Sequence, residues 1–339
     1  MPPRPKVLFV LLLAAIAAAG LPARAAAAKF VQRGPIKIWT VHYRAHNGEK
    51  RNAYVLLPAW YGPKNHPRIP LVISPHGRGL TGRNNVGVWG ALPARGDFAV
   101  VSPDGQGRIL DRYSWGAAGQ IDDLSRMPDI VQLTLPWVHV DRSHVYAFGG
   151  SMGGQETLLL LARHPHLLAG AAVFDAVSDF ALQYRSFPTL SCNKACRKTW
   201  NGPIGVALQG MARKEIGGGP VKAAYAWKLR SPITYVRAIA HSCVPLQLWW
   251  SDADKIVRDQ RRQTERLFNA IRRLNPDAPV QAYSGLWRHS AEMHAGTRLP
   301  LALASFGLLP ASDPRLARAM VVDPAPQSSP WCADLRQTG

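Results

Sequence analysis

The 339-residue chain is poor in acid. Asp and Glu number 21 against 41 Lys and Arg, a formal net charge of +20. It holds only four cysteines. No paired CxxC and no histidine cluster stands beside them, which argues against zinc. No internal repeat and no low-complexity tract follows the N-terminus, so a repeat array is excluded. No second long apolar run follows the first, which leaves no second candidate membrane span. The basic charge comes without a nucleic-acid-binding motif, so no nucleic-acid partner is expected. Its densest clusters, "RDQRRQ" and "AIRRLN", read as a solvated helix face. Attraction to anionic polymers or cell surfaces is the alternative reading of the same charge.

What is present begins with an apolar fraction of 47%, enough for a sizeable core. The first 25 residues open on Arg4 and Lys6, run apolar from Val7 to about Ala19, and end small-x-small at Ala23-Arg24-Ala25. They read as a secretory signal peptide, cut near Ala25. An uncleaved anchor is the alternative, but the run is short for a span of about 20 residues. Removing the segment's three cations from +20 leaves +17. Export to a periplasmic or extracellular space makes the cysteines readable as disulfides. Four allow three pairings. Cys192 with Cys196 and Cys243 with Cys332 is the favoured one, and free buried thiols are the alternative.

"IKIWTVHYRAHNGEKRNAYVLLPAWY" alternates apolar and polar residues around Asn47-Gly48, which predicts a β-hairpin. Solid apolar runs follow at 70–74, 98–102, 144–148, 170–174, 245–250 and 279–283. Such runs suit strands buried on both faces of a parallel sheet. Helical stretches lie between most of them, clearest at 121–135, 154–164 and 258–275. The alternation predicts an α/β fold with a mostly parallel central sheet and helices on both faces. The catalytic domain is expected over 29–310. A small cap is expected over about 180–240, because a crossover needs only a dozen or more residues. The Pro-rich tail, 311–339, reads as mostly loop.

In "VYAFGGSMGGQETLLL" one serine, Ser151, sits among Gly149, Gly150, Gly153 and Gly154, between a predicted strand and a predicted helix. That is the setting of a nucleophile elbow. The helix starting at Met152 aims free N–H groups at the site, where a developing oxyanion would be stabilised. The second oxyanion donor is expected in "LVISPHGRGLTG", from the backbone N–H of Arg78 rather than Gly79. His76 in that loop reads as a brace. After the run at 245–250, "SDADKIV" offers Asp254 and, as runner-up, Asp252. After the run at 279–283, "YSGLWRHSAEMH" offers His289, six residues on, ahead of His294. In the order Ser151, Asp254, His289, the histidine takes the serine's proton and the aspartate fixes its tautomer. Trp287 is the best candidate for contact with an acyl or aryl group. Trp115, Trp200, Trp227, Trp249 and Trp250 are further aromatic candidates near the strand ends, the last two serving equally well as core.

With these motifs in order, the chain resembles the α/β-hydrolases, and within them the catalytic domain of the prolyl oligopeptidase family. The residues that carry the resemblance are Gly150-Ser151-x-Gly153-Gly154, "SPITYV" ahead of "VPLQLWWSDADKIVRDQ", and "YSGLWRHS". It runs from about residue 36 to 308. "HGRG" departs from the family's usual HGGP-like loop. Only about 45 residues separate the expected cleavage site from "PLVISPHG", too few for the family's β-propeller. The resemblance therefore extends to secreted single-domain esterases. It implies a cofactor-free serine hydrolase acting on a small or polymeric carboxylic ester, with a short peptide as the alternative substrate. Acyl transfer, or a non-catalytic binding protein on the same scaffold, are the remaining readings.

Overall fold

The computed structural model describes residues 28–105, 107–310, 321–323 and 332. The expected signal segment, residues 1–25, lies outside the described residues, as does most of 311–339.

Ten strands form one sheet: β1 (Lys29–Arg33), β2 (Ile36–Arg44), β3 (Lys50–Pro58), β4 (Arg68–Ile73), β5 (Ala99–Pro103), β6 (His139–Gly150), β7 (Gly170–Phe174), β8 (Leu246–Ser251), β9 (Val280–Gly285) and β10 (Val321–Asp323). Their order is β1-β2-β3-β5-β4-β6-β7-β8-β9-β10. The six strands from β5 across to β9 run parallel. β1, β2 and β3 are antiparallel at one edge, and β10 is antiparallel at the other. β2 and β3 are the expected hairpin, with Ile36 opposite Pro58 and Arg44 opposite Lys50. Gly48 holds φ +82° in its turn, a conformation open to glycine at little cost.

The apolar runs of the parallel strands have a simple cause. Val145 and Ala147 of β6 join one core, while Tyr146 and Phe148 join the other. Ala171 and Val173 of β7 divide from Ala172 and Phe174 in the same way. With a helical layer on each side, both sets of alternate side chains leave water, so period-2 patterning disappears into an unbroken apolar run. Trp249 stacks on Tyr283 with ring centroids 3.9 Å apart, inside one of these cores.

Two helical details and one strand differ from expectation. The stretch 121–135 is two helices, Ala118–Ser125 and Met127–Thr134, with Pro128 in the first turn of the second, where its missing N–H costs nothing. The stretch 258–275 is helical only over Thr264–Leu274. Before it, Asp259 has φ +60°, and the Gln263 side chain accepts the N–H groups of Ser178 and Asp179. That long-range anchor outweighs local helix preference, so "RDQRRQ" is a turn rather than a helix face. The tail, expected to be mostly loop, contributes the short β10, paired to β9.

Residues 180–240 include the helices Phe180–Ser186, Ile204–Ile216 and Ala224–Lys228. These enclose a third, smaller core containing Phe180, Leu208 and Trp227, which also takes in Met152 and Trp115 from beneath. Disulfides join Cys192 to Cys196 and Cys243 to Cys332. Among the described residues no helix is long and apolar enough to cross a membrane.

Candidate active site

The chain enters the site at the carboxyl end of β6. Ser151 has φ 57° and ψ −123°, a backbone state that side chains other than glycine rarely hold. It is held there by its own N–H, which donates to the Phe174 carbonyl at 2.9 Å, and by the helix Met152–Arg163 that follows at once. The flanking glycines are needed because backbone passes on every side. A Cβ on Gly153 would lie 2.3 Å from the Pro75 carbonyl oxygen, and one on Gly149 would lie 2.3 Å from the Gly153 carbonyl oxygen. The close approach brings the loop after β4 against the start of the serine's helix.

That loop carries "HGRG". The His76 ring is buried, donates from Nδ1 to the Gly77 carbonyl at 2.7 Å, and accepts the Gly105 N–H on Nε2 at 2.6 Å. Burial lowers its pKa, and both nitrogens are occupied, so the ring braces the loop. The Gly79 N–H is spent on the Arg112 carbonyl. Among the described residues, the N–H groups of Arg78 and Met152 have no protein acceptor. Arg78 lines one cleft with Ser151, and Met152 follows Ser151 directly.

Turns after β8 and β9 supply the rest. Asp254 is buried, and its Oδ2 accepts from His289 Nδ1 at 2.7 Å. Its other oxygen accepts the N–H groups of Ile256 (2.7 Å) and Val257 (3.1 Å), while Gln260 Nε2 reaches Oδ2 at 3.3 Å. Asp252, two residues earlier, faces Arg261 at 4.0 Å, and His294 is exposed with Nδ1 accepting from Gly296. The structure therefore brings Asp254 to His289, and leaves Asp252 and His294 outside the pair. Ser151 and His289 line one cleft of about 340 Å³, together with Arg78, Leu80, Val88 and Met293.

A second carboxylate, given no role on sequence grounds, stands behind this pair. Asp175 follows β7 directly and is fully buried. Its Oδ2 accepts from Trp287 Nε1 (3.0 Å) and the Ser290 N–H (2.7 Å), and its Oδ1 accepts the Ser251 N–H (2.7 Å). It thus ties the turn bearing Asp254 to the turn bearing His289. Burial, with the charge of Asp254 nearby, pushes its pKa up to about 6. Donor atoms of Asp175, Asp254 and His289 lie within 4.8 Å of one another, the spacing of a metal site. The N–H donors already held by both carboxylates make the group a hydrogen-bonded network instead. The one signal for Asp175 in the sequence is its place, immediately after an all-apolar parallel strand.

Trp287 does not line the cleft that holds Ser151. Its indole folds back over Gly285, is tethered to Asp175, and forms a wall of the adjoining groove on the other side of His289. Trp115 and Trp227 are buried in the third core, and Trp249 and Trp250 in the two main ones. None of these four, nor Trp200, is among the residues of the Ser151 cleft.

The fold finds its match among solved structures. The chain has the α/β-hydrolase fold. An acylaminoacyl peptidase of Pyrococcus horikoshii superimposes with a TM-score of 0.56 at 15% identity, covering 79% of this chain and 41% of that one. Dipeptidyl peptidase 4 of Porphyromonas gingivalis gives 0.51 at 16%, covering 79% and 34%. A fungal esterase from Rhizomucor miehei gives 0.58 at 12%, covering 83% and 84%. This α/β-hydrolase chain thus spans well under half of the two peptidases and most of the esterase. No family model and no curated protein matches the sequence.

Proposed function

We propose that the protein is a serine hydrolase that cleaves carboxylic esters through an acyl-enzyme. The observation that carries this reading is the His289–Asp254 pair, 2.7 Å apart, opening onto the cleft that also holds the strained Ser151. His289 removes the Ser151 hydroxyl proton as Oγ attacks the ester carbonyl carbon. The carbonyl π electrons move to oxygen, and the N–H groups of Met152 and Arg78 hold that oxyanion. The tetrahedral adduct collapses, the C–O bond to the alcohol breaks, and His289 returns the proton to the leaving alkoxide. Water, deprotonated by His289, then releases the acid in the same two steps. Asp254 holds the imidazole with its proton on Nδ1 and stabilises the imidazolium. Residues 180–240 act as a cap over the strand ends. Passage into an oxidising, periplasmic or extracellular compartment is supported by the two disulfides.

The test is intact-mass labelling of the folded protein with a fluorophosphonate, beside Ser151→Ala, followed by a panel of ester and peptide substrates. One adduct that vanishes in Ser151→Ala, with ester turnover that vanishes with it, is expected. Full ester activity in Ser151→Ala would sink the assignment. Faster cleavage of Pro- or Ala-containing peptide reporters than of any ester would move the substrate to peptides. A folded protein that takes no label and turns over nothing would be a binding protein on this scaffold.

A further inference from the structure

The two cavities that meet at His289 are walled by cations that no described carboxylate neutralises. Arg78 lines the cleft with Ser151, and Lys255 and Arg288 line the adjoining groove with Ile256 and Leu286. Among the described residues neither cavity is lined by a carboxylate. The acids of this face are engaged elsewhere: Asp252 with Arg261, Glu292 with Arg298, and Asp254 with His289. None of Arg78, Lys255 and Arg288 forms an ion pair with a described residue. An unpaired arginine on the open surface of a chain with twice as many cations as acids is ordinary. Arg78 differs because it is half-buried inside a cleft, where an uncompensated charge costs folding energy. A second polar group there is also unanswered. Ser290 lines the same cleft, and its Oγ is shut off from solvent with no hydrogen-bond partner among the described residues.

Resting on the hydrolase reading above, we propose that the substrate is an anionic ester: an acyl group ending in a free carboxylate, bound by the Arg78 guanidinium. A guanidinium presents two parallel N–H donors that match the two oxygens of a carboxylate. Leu80, Val88 and Met293 line the cleft with it and suit a short methylene chain. About 340 Å³ is room for a small diacid. Lys255 and Arg288 draw the anion toward the site without gripping it.

The experiment has a binding arm and a turnover arm. In the first, glutarate is titrated calorimetrically into Ser151→Ala and into Ser151→Ala combined with Arg78→Gln, Arg78→Lys, or Lys255→Gln/Arg288→Gln. Glutarate is expected to bind Ser151→Ala. Arg78→Gln should weaken it at least about tenfold, the charge-keeping Arg78→Lys less so, and the Lys255/Arg288 pair least. In the second, kcat/KM is compared between p-nitrophenyl hemiglutarate and neutral p-nitrophenyl pentanoate. The ratio should exceed about 10 in the wild type and collapse, through KM, in Arg78→Gln. Absence of glutarate binding, equal weakening by all variants, or a ratio unmoved by Arg78→Gln would overturn the proposal. Pentanoate turnover without glutarate binding would remove the subsite and leave the hydrolase. Glutarate binding through Arg78 in a protein that takes no fluorophosphonate would leave the subsite and remove the hydrolase.

Discussion

Glu156 offers a stability test with a worked sign and size. It lies one turn and a little more beyond Ser151 on the same helix and is fully buried. Ser114 Oγ donates to its Oε1, and the Gln120 amide nitrogen stands 3.5 Å from its Oε2. Burial is the main reason its pKa is pushed up to about 8, against the smaller opposing influences of Gln120 and Arg230. At neutral pH the folded protein therefore keeps a proton there that the unfolded chain, titrating near 4.5, has released. The folded state binds more protons, so stability falls as pH rises through that window. At about 1.4 kcal/mol per pH unit, the loss between pH 5 and pH 8 is about 4 kcal/mol. Glu156→Gln keeps an acceptor for Ser114 and offers N–H groups to Gln120 Oε1, which is buried without a partner among the described residues. The variant should lose this pH dependence. Urea unfolding of both proteins under non-reducing conditions, at several values from pH 5 to pH 8.5, reads the difference directly, because all other groups cancel. Glu156→Gln should gain on the wild type by about 4 kcal/mol across the range. Parallel stability curves would refute the reasoning, and would mean that Glu156 is ionised in the folded state.

Two further outcomes follow from the same contacts. Asp254→Asn places an amide where His289 Nδ1–H needs an acceptor, and should lower kcat on a neutral ester by about 10⁴ with little change in melting temperature. A loss under tenfold would withdraw the role from Asp254. Cys243→Ser opens a bridge that closes an 89-residue separation and should cost about 4–5 kcal/mol in the chain-entropy model, read as a shift in the urea midpoint. Unchanged stability in that variant would mean that the bridge constrains little in the unfolded chain.

What was legible in the sequence was local. Glycines around Ser151, apolar runs of strand length and the Asn47-Gly48 turn each act through neighbouring backbone, so a short window holds their cause. The hairpin, the six parallel strands and the elbow occupy the positions that their residues predict. The sequence favours Asp254 over Asp252, though both follow one strand. The turn at 251–257 decides it, because backbone N–H groups of Ile256 and Val257 hold Asp254 toward His289. For Trp287 the sequence indicates the neighbourhood, while its indole's direction is set by a carboxylate 112 residues away. Likewise Gln263 overrides a helical pattern by anchoring residues 84 and 85 positions distant. Asp175 and Glu156 carry no motif that separates them from other charged residues, and the HGRG motif picks out Arg78 for its backbone N–H and not for its charge. Their character comes from burial and from which opposite charges are missing around them. A local pattern determines where the backbone turns and which faces are apolar. The state of a charge depends on everything packed against it, and only the tertiary structure assembles that surrounding.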